Sequence, residues 1–196
     1  MSSITTKRAG FTLIELTITV AIMGILSATA IGLFRAQGMR AKRTEAMTNV
    51  EGIGKMERAY FGENGIYLAA TPAPALAPGV KQNWQPELPF SFDALGFQAE
   101  GSVWFVYDVN SLNGGCACAS GACFTATAYG DSDLDGRPAV ISTFHADSGG
   151  VVCGTALLAI TPPIDPGTGV AVLDQAVDIY SFDSMFGTIP QRADDY

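Results

Sequence analysis

The sequence predicts an α+β protein in which a long N-terminal helix, able to span a membrane in its first half, packs against an antiparallel β-sheet with a disulfide-bonded C-terminal region. Three observations support this prediction. Phe11–Phe34 is an apolar run with a single charge, Glu15. Residues 35–62 contain no proline and repeat apolar side chains at helical spacing. The remainder of the chain alternates short apolar runs with Gly, Asn and Asp turns, as antiparallel strands do.

Composition and charge exclude several classes of protein. Of the 196 residues, 48% are hydrophobic and 15% are charged, which excludes a disordered acidic chain. Charge is segregated: residues 35–58 carry a net +3 and residues 59–196 a net −12, within a total of −8. A general nucleic-acid binder carries the opposite sign, so no nucleic-acid partner is expected. With one histidine, His145, a histidine-based metal or catalytic cluster is not expected within one subunit.

The apolar run is long enough to cross a bilayer. As a helix, Phe11–Phe34 spans about 36 Å, against a hydrocarbon core of about 30 Å. Lys7 and Arg8 precede it and predict a cytoplasmic N-terminus. A secretory signal peptide cleaved after Ala30 and a plain transmembrane anchor are alternatives. Neither alternative explains Glu15, since a carboxylate near the bilayer centre costs about 2.5–3.5 kcal/mol and therefore needs a partner.

The residues before and within this run, KRAGFTLIE at positions 7–15, resemble the class III leader of type IV pilins. The resemblance implies that a prepilin peptidase cleaves after Gly10 and methylates the new amine of Phe11. It further implies that Glu15 of an incoming subunit pairs with the Phe11 amine of its neighbour during filament growth. The chain departs from many relatives at Gly32, where they carry a proline, and the filament segment that loses helicity is therefore not predicted.

The resemblance also implies a function and a location. The protein is expected to be a structural subunit of a type IV pilus, held in the bacterial inner membrane and then polymerised into an extracellular filament. Its implied partners are further copies of the chain in a helical filament, the prepilin peptidase, the inner-membrane assembly machinery, and the lipid bilayer before assembly. Adhesion, twitching motility and DNA uptake are not separated. A pseudopilin of a type II secretion system and a membrane-tethered periplasmic binding protein or enzyme are the alternatives.

The helix is predicted to continue beyond the membrane. Ala46, Val50, Ile53 and Tyr60 recur at helical spacing and predict an apolar stripe that packs on the chain's own globular part. Gly62 and Asn64-Gly65 predict the end of the helix near Phe61. The predicted organisation is a leader (1–10), a membrane or filament-core helix (11–34), an amphipathic continuation (35–61) and a globular head (62–196).

The head is predicted to be a long loop followed by a sheet. The loop covers residues 62–100, because Thr71–Pro89 carries five prolines. The sheet and the C-terminal region cover residues 101–196. Its strand candidates are Ser102–Val109, Phe124–Tyr129 and Ala139–Phe144, with weaker candidates at Val151–Ile160 and Val170–Ser181.

Four cysteines, Cys116, Cys118, Cys123 and Cys153, are predicted to form two disulfides in a translocated body. A Cys116–Cys118 bond encloses one residue and is discounted. Of the two remaining arrangements, Cys118–Cys123 with Cys116–Cys153 is favoured over Cys116–Cys123 with Cys118–Cys153. A zinc site built from the same thiols is the alternative, which an oxidising compartment disfavours.

The acidic sequence Asp131-Ser-Asp133-Leu-Asp135-Gly fits the first half of a calcium loop, since three carboxylates at alternate positions can converge on one cation. The second half does not fit, because Ser142 stands where a bidentate glutamate is needed. A solvated acidic turn is the favoured interpretation. The alternative is a calcium site completed by Asp147 or by backbone carbonyls, and no other cofactor is expected.

Catalysis is not predicted. His145 has no serine or cysteine nucleophile motif near it, and neither a phosphate-binding loop nor a dinucleotide fingerprint occurs. A surface or packing role for His145, and no enzymatic activity, are therefore expected.

Overall fold

The computed structural model describes residues 10–74, 79–85, 92–112, 116–131, 139–165 and 167–179. The chain divides into two units, Met1–Gly38 and Met39–Tyr196. The first unit contains the first part of helix α1, and the second contains the rest of α1 and all of the described strands. The fold is α+β, as predicted.

Helix α1 runs over Leu13–Asn64, slightly beyond the predicted end at Phe61. It ends where Gly65 adopts a φ of +73° and donates its N–H to the Phe61 carbonyl at 2.8 Å. A left-handed residue of this kind closes a helix C-terminus and favours glycine. The Asn64-Gly65 stop signal is therefore confirmed.

The described strands of the second unit form two antiparallel sheets. The main sheet has the order β1-β4-β5-β6-β7, and a small sheet pairs β2 with β3. The strands are β1 (Ala70–Ala73), β2 (Gln82–Asn83), β3 (Ser102–Val103), β4 (Val106–Asn110), β5 (Phe124–Gly130), β6 (Ala139–His145) and β7 (Val177–Ile179), and a one-turn helix α2 covers Phe92–Leu95.

The main sheet is covered on both faces. On one face, Tyr107 pairs with Ala128, and Ala128 with Ile141, so that their side chains share a core with α1. The prediction that the stripe packs on the globular part is confirmed, since Ala46, Val50 and Ile53 are fully buried in that core. On the other face, a second core contains Tyr129, Val140, Phe144 and Ile179, with Ile160 and Leu173 packed against it.

The second covered face was not predicted. Alternation in the sequence correctly placed Val103, Phe105, Tyr107 and Val109 in one core. In a strand with one face in solvent, the residues between these would be exposed. In β4 they are buried as well, including Asp108 and Asn110. Residues 153–160 cover them, as Asn110 Nδ2 donates to the Gly154 carbonyl at 2.9 Å.

Three secondary-structure predictions need correction. The proline-rich stretch is not all loop, because Ala70–Ala73 forms β1. An edge strand tolerates Pro72, which cannot donate to a ladder. Ser102–Val109 is not one strand but β3 and β4, in different sheets. Val151–Ile160 is not a strand: its one ladder contact is an isolated bridge at Cys153, and the stretch turns at residues 156–158 to cross the sheet.

The remaining strand predictions hold. Phe124–Tyr129 and Ala139–Phe144 become β5 and β6, which pair along their whole length from Phe124↔His145 to Gly130↔Ala139. The weak candidate Val170–Ser181 contains the short strand β7, and its last two residues lie outside the described part of the chain.

Candidate functional site

Glu15 closes the N-terminus of α1 through Thr12. Glu15 Oε2 accepts from the Thr12 backbone N–H at 2.9 Å and from the Thr12 hydroxyl at 2.7 Å, and Glu15 N–H donates to Thr12 Oγ1 at 3.3 Å. This is a capping box, with Thr12 at the N-cap and Glu15 three residues later. Both bonds to the carboxylate end on Oε2, so the cap does not use Oε1.

The cap gives Glu15 a second partner. The sequence predicts pairing with the Phe11 amine of a neighbouring subunit, and the structure adds a partner within the same chain, Thr12. The T-x-x-E spacing at residues 12–15 is the signal that could have found it. A carboxylate at a helix N-terminus is also stabilised by the helix dipole, which lowers the cost of placing it in an apolar run.

The predicted cleavage site lies outside the helix. Gly10 and Phe11 are exposed and precede the first helical residue, Leu13. A peptide bond in this setting can be reached by a protease without unwinding α1. Lys7 and Arg8, the basic residues of the predicted leader, lie outside the described residues.

The apolar run is exposed along its whole length. Every residue from 10 to 35 is exposed, and the large side chains include Leu13 at 80% and Phe34 at 80%. Among the described residues, one helix, α1, has the length and apolar composition needed to cross a membrane. An uninterrupted apolar surface of this length needs lipid or other apolar helices around it.

The disulfides have the favoured arrangement. Cys116 is bonded to Cys153, and Cys118 is bonded to Cys123. The Cys116–Cys153 bond joins the segment before β5 to the segment that crosses the sheet. The Cys153 carbonyl accepts from the Thr125 hydroxyl at 2.6 Å, so that segment is also tied to β5.

Most of the acidic sequence between β5 and β6 lies outside the described residues. Asp131 directly follows β5 and is 9% exposed, so the favoured interpretation of a solvated turn is wrong for this residue. Asp133 and Asp135 lie outside the described residues. Asp147, the suggested additional ligand, accepts from the N–H groups of Gly149 and Val151 and closes its own turn. Calcium binding at this loop stays a prediction.

His145 has a packing role. Its ring stacks on Phe124 with 5.3 Å between centroids and meets Tyr67 edge-on at 5.2 Å. Its Nδ1 lies 2.5 Å from Asp174 Oδ1, and Asp174 also pairs with Arg58 at 3.3 Å. These contacts hold the C-terminal segment against α1 and the sheet.

The burial of two carboxyl groups, those of Glu57 and Asp108, was not predicted from the sequence. Glu57 continues the apolar stripe of α1 and is fully buried, with Oε2 accepting from the Leu68 N–H at 3.0 Å. Asp108 is fully buried on the opposite face of the sheet, and neither of its carboxylate oxygens has a hydrogen-bond partner in the described part of the chain. Burial raises the pKa of each carboxyl to about 8.

Comparison with known proteins gives one family match and several partial matches to curated relatives. The family described as "Prokaryotic N-terminal methylation motif" matches residues 5–31. The type IV major pilin protein PilA of Myxococcus xanthus (strain DK1622) is 44% identical over 61 residues, which is 31% of this chain and 28% of the relative. The type IV major pilin protein PilE1 of Neisseria gonorrhoeae is 38% identical over 73 residues, which is 37% of this chain and 34% of the relative.

These matches cover only part of each protein. The chain spans about a third of the length of the curated relatives it matches. No significant match was found among solved structures. The motif at residues 5–31 contains Gly10, Phe11, Thr12 and Glu15, whereas the sheet and both disulfides lie far outside it.

Proposed function

We propose, from the type IV pilin N-terminus with its class III leader that this chain carries, that the protein is a structural subunit of a type IV pilus. It is made as a prepilin, anchored in the inner membrane through α1, cleaved between Gly10 and Phe11, and polymerised into an extracellular filament. Its function is assembly rather than catalysis. Its partners are other copies of the same chain, the prepilin peptidase and the inner-membrane assembly machinery.

One observation carries the proposal: the exposed, mostly apolar first part of α1, up to residue 35, carries in its first turn a carboxylate that the N-cap already orients. In the membrane, lipid covers the apolar side chains. In a filament, the same side chains of neighbouring subunits cover one another, because α-helices bury apolar stripes in bundles. The same apolar surface therefore suits both environments.

The carboxylate supplies the specificity of assembly. Cleavage after Gly10 creates a cationic amine on Phe11, which is unfavourable at the positive end of its own helix dipole. A neighbouring Glu15 compensates that charge, and buried charges are tolerated when they are paired. Since the cap uses Oε2, Oε1 can accept from the neighbour's amine while Thr12 holds the side chain in position.

The test separates the charge of Glu15 from its cap. Glu15→Gln keeps an acceptor for Thr12, since glutamine also forms capping boxes, but removes the charge. We expect this variant to insert into the membrane and to be cleaved, and to be absent from sheared surface filaments. Thr12→Val is the matched control, because it removes the hydroxyl but keeps the charge. A lost N-cap costs about 1 kcal/mol of helix stability, so filaments should persist in reduced amount.

The outcomes distinguish the functions. Mass spectrometry of sheared filaments should find this chain as the principal subunit, beginning at a methylated Phe11. Normal filaments from Glu15→Gln would contradict the charge-pair mechanism and leave the subunit role in place. A processed chain found at trace level in filaments made of another subunit would favour a pseudopilin or a minor component. A chain that stays in the membrane and binds a small molecule would favour a tethered binding protein.

A further inference from the structure

The two disulfides form one cluster of four sulfur atoms. Cys123 Sγ lies 3.3 Å from Cys153 Sγ, and Cys118 Sγ lies 3.8 Å from Cys153 Sγ. Cys153 is bonded to Cys116, so the Cys118–Cys123 bridge lies in direct contact with the other bridge. A disulfide bond is about 2.0 Å long, so a movement of about 1.3 Å would bring Cys123 into bonding distance of Cys153.

The four sulfurs differ in exposure. Cys123 and Cys153 are fully buried, whereas Cys116 and Cys118 are only half-buried. A thiol from solvent therefore reaches Cys118 before it reaches Cys123. The attacked bridge then releases its buried sulfur, Cys123, beside the sulfur of Cys153.

We propose that a dithiol reductant converts the two bridges into one, with Cys123 bonded to Cys153 and with Cys116 and Cys118 as free thiols. The cluster is then a redox-sensitive switch. Its reduced form presents a Cys-x-Cys dithiol on the half-buried side and keeps a bond on the buried side.

The exchange proceeds in three steps. A thiolate of the reductant attacks Cys118 Sγ, the Cys118–Cys123 bond breaks, and its electron pair leaves on Cys123 Sγ. The Cys123 thiolate attacks Cys153 Sγ, and the electron pair of the Cys116–Cys153 bond leaves on Cys116 Sγ. The second thiol of the reductant attacks the mixed disulfide at Cys118 and departs as a cyclic disulfide. The protein gains two electrons and two protons, which end on Cys116 and Cys118, and the reductant loses the same number.

Burial favours this product over simple reduction of Cys118–Cys123. Attack at Cys118 leaves the Cys123 thiolate in apolar surroundings, where the charged form is disfavoured, and its attack on Cys153 removes that charge from the interior. The exchange moves both free thiols to the half-buried positions, where water can solvate them. Cys123 directly precedes β5, and Thr125 of β5 holds the Cys153 carbonyl, so the new bond lies where the two segments are already joined.

The first test is limited reduction of the full chain in detergent. Equimolar dithiothreitol is added near pH 8, the reaction is stopped with acid, free thiols are labelled with N-ethylmaleimide, and the labelled and linked peptides are mapped by mass spectrometry. The proposal expects most doubly labelled molecules to carry their labels on Cys116 and Cys118, with Cys123 linked to Cys153. Labels on Cys118 and Cys123, with Cys116 still linked to Cys153, would overturn it.

The second test uses a variant in which Cys123 is already unpaired, so that no reductant is needed. In Cys118→Ser, Cys123 has lost its partner, and the proposal expects a Cys123–Cys153 bond with a single label on Cys116. A retained Cys116–Cys153 bond, with the label on Cys123, would contradict it. Ala119→Ser is the matched control, because it adds the same hydroxyl one residue away and keeps all four cysteines. This control should take up no label unless reductant is present, and label uptake without reductant would contradict the two-bridge starting state.

Discussion

Two buried carboxyl groups are expected to make the stability of the second unit depend on pH. Glu57 lies on the side of α1 that faces the core, and Asp108 lies on the opposite face of the sheet. Desolvation raises the pKa of both carboxyl groups, and the N–H of Leu68 opposes that rise at Glu57. With a pKa of about 8, each group is protonated in the folded protein at neutral pH, whereas in the unfolded chain it is ionised.

Stability should therefore fall as the pH rises. Between the unfolded pKa near 4 and the folded pKa of about 8, the folded state binds more protons than the unfolded state, so each carboxyl lowers the free energy of unfolding by at most about 1.4 kcal/mol per pH unit. Above about pH 8 the dependence should level off. Urea unfolding between pH 4 and pH 9 measures it, with fluorescence from Trp84 and Trp104, which both lie in the second unit.

Asp108→Asn supplies the control for this prediction. The amide has nearly the same shape but does not ionise, so the variant should gain stability over the native chain at pH 9 and differ little from it at pH 4. A pH dependence identical to that of the native chain would show that Asp108 does not carry the effect.

Calcium binding is also a question of single residues. If Asp131, Asp133 and Asp135 hold calcium, chelation with EDTA should lower the Tm of the second unit, because an ion that binds only the folded state stabilises it. Asp133→Ala should remove that sensitivity. Asp165→Ala should not, since its carboxylate closes a different turn by accepting from the Gly167 N–H at 2.7 Å. An unchanged Tm on adding EDTA would assign these residues to an acidic turn.

At the scale of elements, small residues decide how closely structures approach. Ala126 and Ala128 of β5 face α1, where larger side chains would hold the helix away. Gly54 of α1 lies over the same face, and a Cβ there would meet Thr143 Cγ2 at 3.4 Å. At the end of β5, Gly130 lies against the ring of the buried Phe105, and a Cβ would come within 2.7 Å of Phe105 Cδ1.

The same substitution should have opposite effects at two glycines. Gly130→Ala forces the buried Phe105 ring to move and should lower the free energy of unfolding by about 1–3 kcal/mol. Gly62→Ala, in the exposed last turns of α1, meets nothing within 4 Å and should raise stability by up to about 1 kcal/mol, since alanine is the better helix former. Urea unfolding measures both, and a stabilising Gly130→Ala would contradict the packing of β5 on Phe105.

At the scale of the whole molecule, the two units meet different requirements. The first is exposed over residues 10–35 and mostly apolar, a surface that lipid or neighbouring apolar helices can cover. The second buries its own core on both faces of the sheet and is closed by two disulfides. The exposed Gly10–Phe11 bond lies just before the helix that both units share.

Substitution of Gly10 tests processing of the whole chain. Gly10→Val places a branched side chain at the cleaved bond, and the full-length precursor should accumulate in the membrane fraction. Its second unit should still fold, which intact disulfides in non-reducing gels would report. Intact-mass measurement of the native protein should give a chain that begins at methylated Phe11. A chain that begins at Ile31 would show instead that the signal-peptide interpretation, with cleavage after Ala30, was right.

Features that arise from local pattern could be predicted from the sequence. The apolar run, the stripe of Ala46, Val50 and Ile53, the stop at Gly65 and the hairpin of β5 and β6 all follow from periodicity and turn residues. The leader residues around Gly10 and Glu15 could be recognised for the same reason, since their signal is contained in a few consecutive positions.

Features that depend on residues far apart in sequence could not be predicted and are seen in the folded chain. That Asp108 and Asn110 are buried follows from residues 153–160 crossing the second face, and alternation within β4 carries no information about that cover. That Glu57 is buried, and that the two disulfides touch, depend in the same way on long-range packing. Periodicity reports which side of an element is apolar, whereas burial is set by whatever distant segment covers that side.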